Sequence, residues 1–188
     1  MTSRINECLE EHRIFFENCF TTTLIKEIET VGLIIGDAIQ NGNKVMFMGN
    51  GGSAADSQHL AAEFISKLAI DRKPLAAIAI TTDTSAITAI GNDYGYEKVF
   101  ERQVFGIAKK DDVLIGISTS GTSKNIINGF RAGQDIGTIN VGLSGRSGFP
   151  SLYVDRDLNV SGDVTARIQE AHIFIGHTLC EIAESRFL

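Results

Sequence analysis

Proline is nearly absent from this chain of 188 residues, with Pro74 and Pro150 its only two, and no Pro-rich linker, internal repeat or low-complexity tract interrupts it. Nothing marks a domain boundary. Cysteine is also scarce. Cys8, Cys19 and Cys180 are odd in number, lie far apart and include no Cys-x-x-Cys pair, which argues against a disulfide framework or a thiolate zinc site and suits a reducing cytosol. No apolar run is long enough to span a bilayer, and the first residues, MTSRINECLEEHR, carry acids where a secretory signal needs an apolar stretch. Clusters of Lys and Arg are missing too. With a net charge of −6, the chain is ill suited to broad contact with nucleic acid or anionic membrane. These absences together describe a soluble, unprocessed, cytoplasmic protein.

The apolar content, 43%, suffices for one well-packed domain over residues 1–188. Apolar residues recur at helical spacing from Ile5 to Phe20 and again from Leu24 to Ile39 (Leu24, Ile28, Val31, Ile35, Ala38), which predicts two N-terminal helices within residues 1–41. The second should stop at Asn41-Gly42, where Gly can close a helix in the left-handed conformation. From Lys44 onward the pattern changes. Val45–Met48, Ala76–Thr81, Val113–Ile117 and Ile139–Leu143 are short apolar runs, and a weaker one lies within Leu152–Val160. Runs of this kind, alternating with helical patterns at Ala54–Lys67, Ser85–Ile90, Val99–Lys109, Ser123–Asp135 and from Thr165 to the C-terminus, read as buried parallel strands with crossover helices. The expected fold is α/β, a three-layer α/β/α sandwich around a parallel sheet of about five strands. Ligands of such sheets gather beyond the carboxyl ends of the strands.

Two turns at strand ends carry chemistry. The first strand runs into Gly49-Asn50-Gly51-Gly52-Ser53 and then a helix, so bare backbone and helix N-terminal amides can meet a phosphate or a polyol. A ligand-free tight turn would look the same. The segment fits neither the dinucleotide fingerprint nor the phosphate loop of ATPases, which disfavours nicotinamide and ATP chemistry. The third strand ends in Ser118-Thr119-Ser120-Gly121-Thr122-Ser123, with five hydroxyls and a Gly before the next helix. N-capping would account for one or two of those hydroxyls, whereas the whole cluster points to phosphate. The loop holds no cation, so neutral donors and the helix dipole carry recognition, with Lys124 adding charge.

His59 and Glu63 stand at i and i+4 and share one helix face, where they can hold a metal, exchange a proton or form a surface pair. In the last helix His172 and His177 point roughly 140° apart, so one of them is spare, and Gln169 lies about 12 Å along the axis from His177. That separation suggests a site counted over more than one subunit.

Taken together, GNGGS, DSQHLAAEF, TTDTSAITAIGND, GISTSGTS and ARIQEAHIFIGH resemble the phosphoheptose isomerases of the sugar-isomerase (SIS) fold family, over about Lys44 to Glu181. The resemblance implies isomerisation of sedoheptulose 7-phosphate to D-glycero-D-manno-heptose 7-phosphate, the first step toward the heptose of lipopolysaccharide core or related glycans. It also implies one zinc per subunit and a homotetramer with active sites at subunit interfaces. By the same resemblance His59, Glu63, Gln169 and His177 hold the metal, with Glu63 and His177 catalytic and His172 outside the set. Substrate contacts fall on Asn50, Gly51, Gly52, Ser53, Glu63, Asn92, Asp93, Ser118, Thr119, Ser120, Ser123 and Gln169. Asp93 reads otherwise as a turn acid in Gly-Asn-Asp-Tyr-Gly. Two positions depart from the family pattern: Lys67 stands where Arg is common, and Ala166 where an acid is. The alternatives are a non-catalytic SIS tetramer that binds a replication initiator or senses sugar phosphates, and an isomerase of shorter sugar phosphates. Non-catalytic relatives typically lack the Glu and the distal His present here.

Overall fold

The computed structural model describes residues 3–69 and 71–188. Its framework is a five-stranded, all-parallel sheet in the order β2-β1-β3-β4-β5, formed by β1 (Val45–Gly49), β2 (Ala77–Ala79), β3 (Val113–Ser118), β4 (Ile139–Gly145) and β5 (Arg156–Val160). The strands fall inside or beside the apolar runs that predict them, and β2 is the shortest. Side chains alternate across the sheet as strand pleating requires. Val45, Phe47, Val113, Ile115 and Ile117 join one core cluster, while Met46, Met48 and Leu114 join the other.

Helices cover both faces. On the first lie α2 (Thr22–Gln40), α3 (Gly52–Ile65) and α7 (Thr165–Glu184); on the second lie α4 (Thr84–Tyr94), α5 (Val99–Ile107) and α6 (Lys124–Ile136). The predicted sandwich is therefore present, with helix ends displaced by a few residues. The stripe Leu24, Ile28, Val31, Ile35 and Ala38 is the buried face of α2, which starts at a Thr21 side-chain cap on the Leu24 amide and ends just before Gly42 at φ 84°. α4 runs four residues past its predicted end, and this carries Asn92 and Asp93 into a helix rather than a turn.

The first helix, α1 (Arg4–Cys19), behaves differently. None of its residues is fully buried, and Ile5 and Leu9 remain mostly exposed. It leans on α7 through a His12 Nδ1···Glu170 Oε2 contact of 2.8 Å, a hydrogen bond from Arg167 to the Cys8 carbonyl, and edge contacts of Phe16 and Phe20 with Phe174.

Candidate active site

Strand order decides where the two turns meet. β1 and β3 are neighbours, and the chain leaves them toward opposite faces, into α3 and α6. This is the switch point of a doubly wound sheet, where a crevice opens beyond the strand ends. The Asn50–Ser53 turn follows β1 and the Thr119–Ser123 turn follows β3, so both line that crevice.

A reciprocal amide pair ties the turns together. Asn50 Nδ2 donates to Asn125 Oδ1 at 2.9 Å, and Asn125 Nδ2 donates back to Asn50 Oδ1 at 2.8 Å, where the Tyr96 hydroxyl also donates at 3.0 Å. A pocket of about 70 Å³ lies beside them, with Gly49, Gly51, Thr81 and Phe100 in its wall. Asn125 and Tyr96 are site residues that sequence reasoning missed. Asn125 immediately follows Lys124 of the Ser/Thr-rich segment, but no spacing in the sequence pairs it with Asn50.

In the second turn, Ser118 Oγ lies 3.3 Å from Ser120 Oγ and 3.1 Å from Ser123 Oγ, and it accepts from the Gly121 amide at 3.2 Å. Ser123 occupies the N-cap of α6, yet its side chain bonds no helix amide. The capping explanation for these hydroxyls thus fails for the residue best placed to cap. Asn125 Oδ1 takes the Ile126 amide at 3.0 Å, and Ser123 caps none, so the amides of Lys124 and Asn125 start α6 without a side-chain cap, as an anion at a helix N-terminus needs. Gly121 has φ 69°, and the Gly148 backbone presses against the place where its Cβ would be, so only glycine suits the position. Lys124 is exposed and makes no ion pair among the described residues.

The turn after β1 feeds α3, and Ser53 is buried at its start. Further along α3, His59 Nε2 lies 3.2 Å from Glu63 Oε1. Across the gap from α7, His177 Nε2 approaches to 2.9 Å from His59 Nε2. The ligand atoms of His59, Glu63 and His177 all fall within 4.8 Å of one another in a single chain. Two imidazole nitrogens and one carboxylate oxygen form the donor set of a catalytic zinc site with a position left open for substrate. The observed edges of 2.9 and 3.2 Å are close to the roughly 3.3 Å expected between ligands of a tetrahedral zinc with bonds near 2 Å. The side chains therefore fit that group. Asp56, one turn before His59, faces the same two imidazoles: burial raises its carboxyl above the usual range, and His59 and His177 oppose the rise. The sequence reading passed over this acid, although its i−3 spacing from His59 could have marked it.

His172 stands apart from this cluster, as the helix angles require. It is fully buried, and burial lowers its pKa to about 4. The Ser144 backbone pulls weakly the other way, but neither ring nitrogen meets a partner in hydrogen-bonding geometry among the described residues. Gln169 lies two turns before His177, its amide against Gly52: a Cβ there would stand 2.6 Å from Gln169 Nε2. The N-terminal part of α7 therefore touches the first turn of α3. Asn92 and Asp93 are exposed and bond each other at 2.7 Å, with no hydrogen bond to either glycine- or serine-rich turn among the described residues. Lys67 is exposed, 4.0 Å from Asp71, and Ala166 is exposed at the start of α7.

Fold and site together define an α/β protein with a crevice between two small-residue turns at the sheet's switch point and a metal-type triad beside it. Comparison with known proteins agrees. The SIS domain family model matches residues 15–145. A phosphoheptose isomerase of Clostridium acetobutylicum is 52% identical over 161 residues, which cover 85% of this chain and 82% of that protein. One from Geotalea uraniireducens is 46% identical over 187 residues, 99% of this chain and 98% of the relative. Among solved structures, the phosphoheptose isomerase of Neisseria gonorrhoeae superposes with a TM-score of 0.88 at 38% identity, covering 97% of each chain. The chain belongs to the phosphoheptose isomerase family of SIS-domain proteins.

Proposed function

We propose that this protein interconverts sedoheptulose 7-phosphate and D-glycero-D-manno-heptose 7-phosphate, the entry step to heptose for lipopolysaccharide core or related glycans. The observation that carries the proposal is the convergence of His59, Glu63 and His177 next to two anion-suited turns. The Glu63 carboxylate takes the proton from C1 of the ketose, and the electron pair left behind forms a C1–C2 double bond as the C2 carbonyl becomes an enediolate oxygen. His177 moves a proton from the C1 hydroxyl to the C2 oxygen. Glu63 then returns its proton to C2, and C1 becomes the aldehyde. Ser118, Thr119, Ser120, Ser123 and the first amides of α6 hold the phosphate. Asn50, Gly51, Gly52 and Ser53 line the sugar side, and Asn92 and Asp93 hold hydroxyls.

Zinc held by His59, Glu63, His177 and Gln169 would supply Lewis acidity to the carbonyl and hydroxyl oxygens, with Glu63 and His177 leaving the metal when they carry protons. The exposure of Asn92 and Asp93 supports a site completed by a second subunit. So does an apolar hollow of about 400 Å³ lined by Phe16, Phe20, Ile28, Phe174 and Ile182 on α1, α2 and α7; a homotetramer would cover it. No helix among the described residues is long and apolar enough to cross a membrane, and the three cysteines are free, which supports work in the cytoplasm. The test is incubation with sedoheptulose 7-phosphate and with shorter ketose phosphates, with and without chelator, followed by product identification. Formation of the heptose aldose only in chelator-free samples is expected; turnover of none of the substrates would reject the proposal.

A further inference from the structure

Between α3 and β2 the described residues 66–69 and 71–76 form no helix or strand, yet Arg72 points into the interior. Arg72 and Glu184 form an ion pair at 2.6 Å with side chains only 4% and 0% exposed. We propose that this pair is a positioning lock that sets the spacing of the His59–Glu63–His177 triad and hence its metal affinity. The inference rests on the reading of that triad as a metal site.

The connections are direct. Arg72 Nη2 also donates to the Glu63 carbonyl at 2.9 Å, and Nη1 donates to the carbonyls of Phe64 at 2.9 Å, Ser66 at 3.3 Å and Lys73 at 3.2 Å. A guanidinium thereby caps the open carbonyls at the end of α3, where the helix dipole favours a cation. Only its Nε lacks a partner among the described residues. Glu184 closes the other side, accepting from the Leu68 and Ala69 amides at 3.2 and 3.3 Å. It lies seven residues, two helical turns, beyond His177 on α7. The lock thus joins the turn that carries Glu63 to the helix that carries His177.

A second contact fixes the same two helices from the other end. Gly176 packs so closely on α3 that a Cβ would stand 2.5 Å from Leu60 Cδ1, and these residues adjoin His177 and His59 in sequence. The contact brings α3 and α7 together beside the imidazoles. The lock then fixes how far α3 is rotated and how far α7 has slid past it, which a single close contact leaves free. The triad does not hold itself in this way: the His59 side chain is 51% exposed. Burying an ion pair gives little stability over an apolar pair of similar volume, so a buried pair with this many directed bonds is better explained by geometry than by stability. Arg suits the task because its planar fork reaches a carboxylate and several carbonyls at once.

Cobalt(II) and zinc affinities measured by chelator competition, with apo-protein melting temperatures alongside, test the lock. Groups that orient metal ligands indirectly typically contribute ten- to hundred-fold in affinity. Arg72→Met and Glu184→Asp, the latter pulling the carboxylate back by one methylene, should weaken cobalt binding by that factor and alter the cobalt absorption spectrum. Glu184→Gln keeps the side-chain length and one acceptor oxygen, and should weaken cobalt binding less than Glu184→Asp. Should Arg72→Met not fold, Arg72→Met/Glu184→Leu, which fills the same space without a buried charge, serves in its place. Folded lock variants that bind cobalt as tightly as the unsubstituted protein, with an unchanged spectrum, would overturn the lock while leaving the metal site standing. Failure of the unsubstituted protein to bind either metal would overturn the triad reading itself.

Discussion

His59 and His177 are 118 residues apart in sequence, and their Nε2 atoms are 2.9 Å apart in the fold. Without a metal, such a pair is a single hydrogen bond between two ring nitrogens. With one, both lone pairs turn to the ion. His59→Ala and His177→Ala should each lose the zinc that the unsubstituted protein retains after dialysis, as read by elemental analysis of the folded proteins. Chelation should remove activity, and zinc should restore it. Full zinc content in either variant would contradict the assignment.

Glu63 is the acid best placed to move a carbon-bound proton, since its carboxylate is mostly shielded next to two imidazoles. Glu63→Gln should lower kcat by at least about a hundred-fold, the range typical of a lost general base. It should also stop uptake of solvent deuterium at the substrate carbon. Exchange at the normal rate would assign the base role elsewhere.

The Ser118 hydroxyl sits at the centre of the second turn, within 3.3 Å of two other serine hydroxyls. Hydrogen bonds to a charged group contribute about 1.5–3 kcal/mol. Ser118→Ala or Ser123→Ala should therefore raise KM and the inhibition constant of inorganic phosphate together, by about ten- to a hundred-fold. A rise in KM alone would mean that these hydroxyls read the sugar and not the phosphate.

Gly52 bears on the site through Gln169, whose amide occupies the space a Cβ would take. Gly52→Ala should displace that flexible side chain, leave the melting temperature nearly unchanged and reduce turnover. Undiminished turnover would remove Gln169 from the list of residues that must stay in place.

Acid stability tests His172. Burial lowers its folded pKa from 6.5 to about 4, so between these values the unfolded chain binds a proton that the folded chain refuses. Stability is then complete above pH 6.5 and falls as the pH drops toward 4, by about 3 kcal/mol over the window. His172→Leu should flatten this part of the stability curve in urea titrations, whatever it does to stability at neutral pH. A curve of unchanged slope would show that the acid loss comes from other groups.

Much of this protein is legible in one dimension. Strand and helix periods, the stop of α2 at Asn41-Gly42, the shared face of His59 and Glu63, and the small-residue turns after β1 and β3 all follow from spacing over a few residues, because pleat and helix pitch are local properties. The same arithmetic shows that His172 and His177 cannot share a site. Other features depend on crossovers and packing between distant segments. Spacing alone does not reveal that β1 pairs with β3 and opens the crevice between the two turns, that Asn125 answers Asn50, or that Arg72 reaches Glu184. The axial distance from Gln169 to His177 suggested a site spread over subunits, while the approach of α7 to α3 at Gly176 brings His177 to His59 within one chain. Periodicity specifies which face of a helix is buried, but only the side chains filling the space between two helices decide how near those faces come.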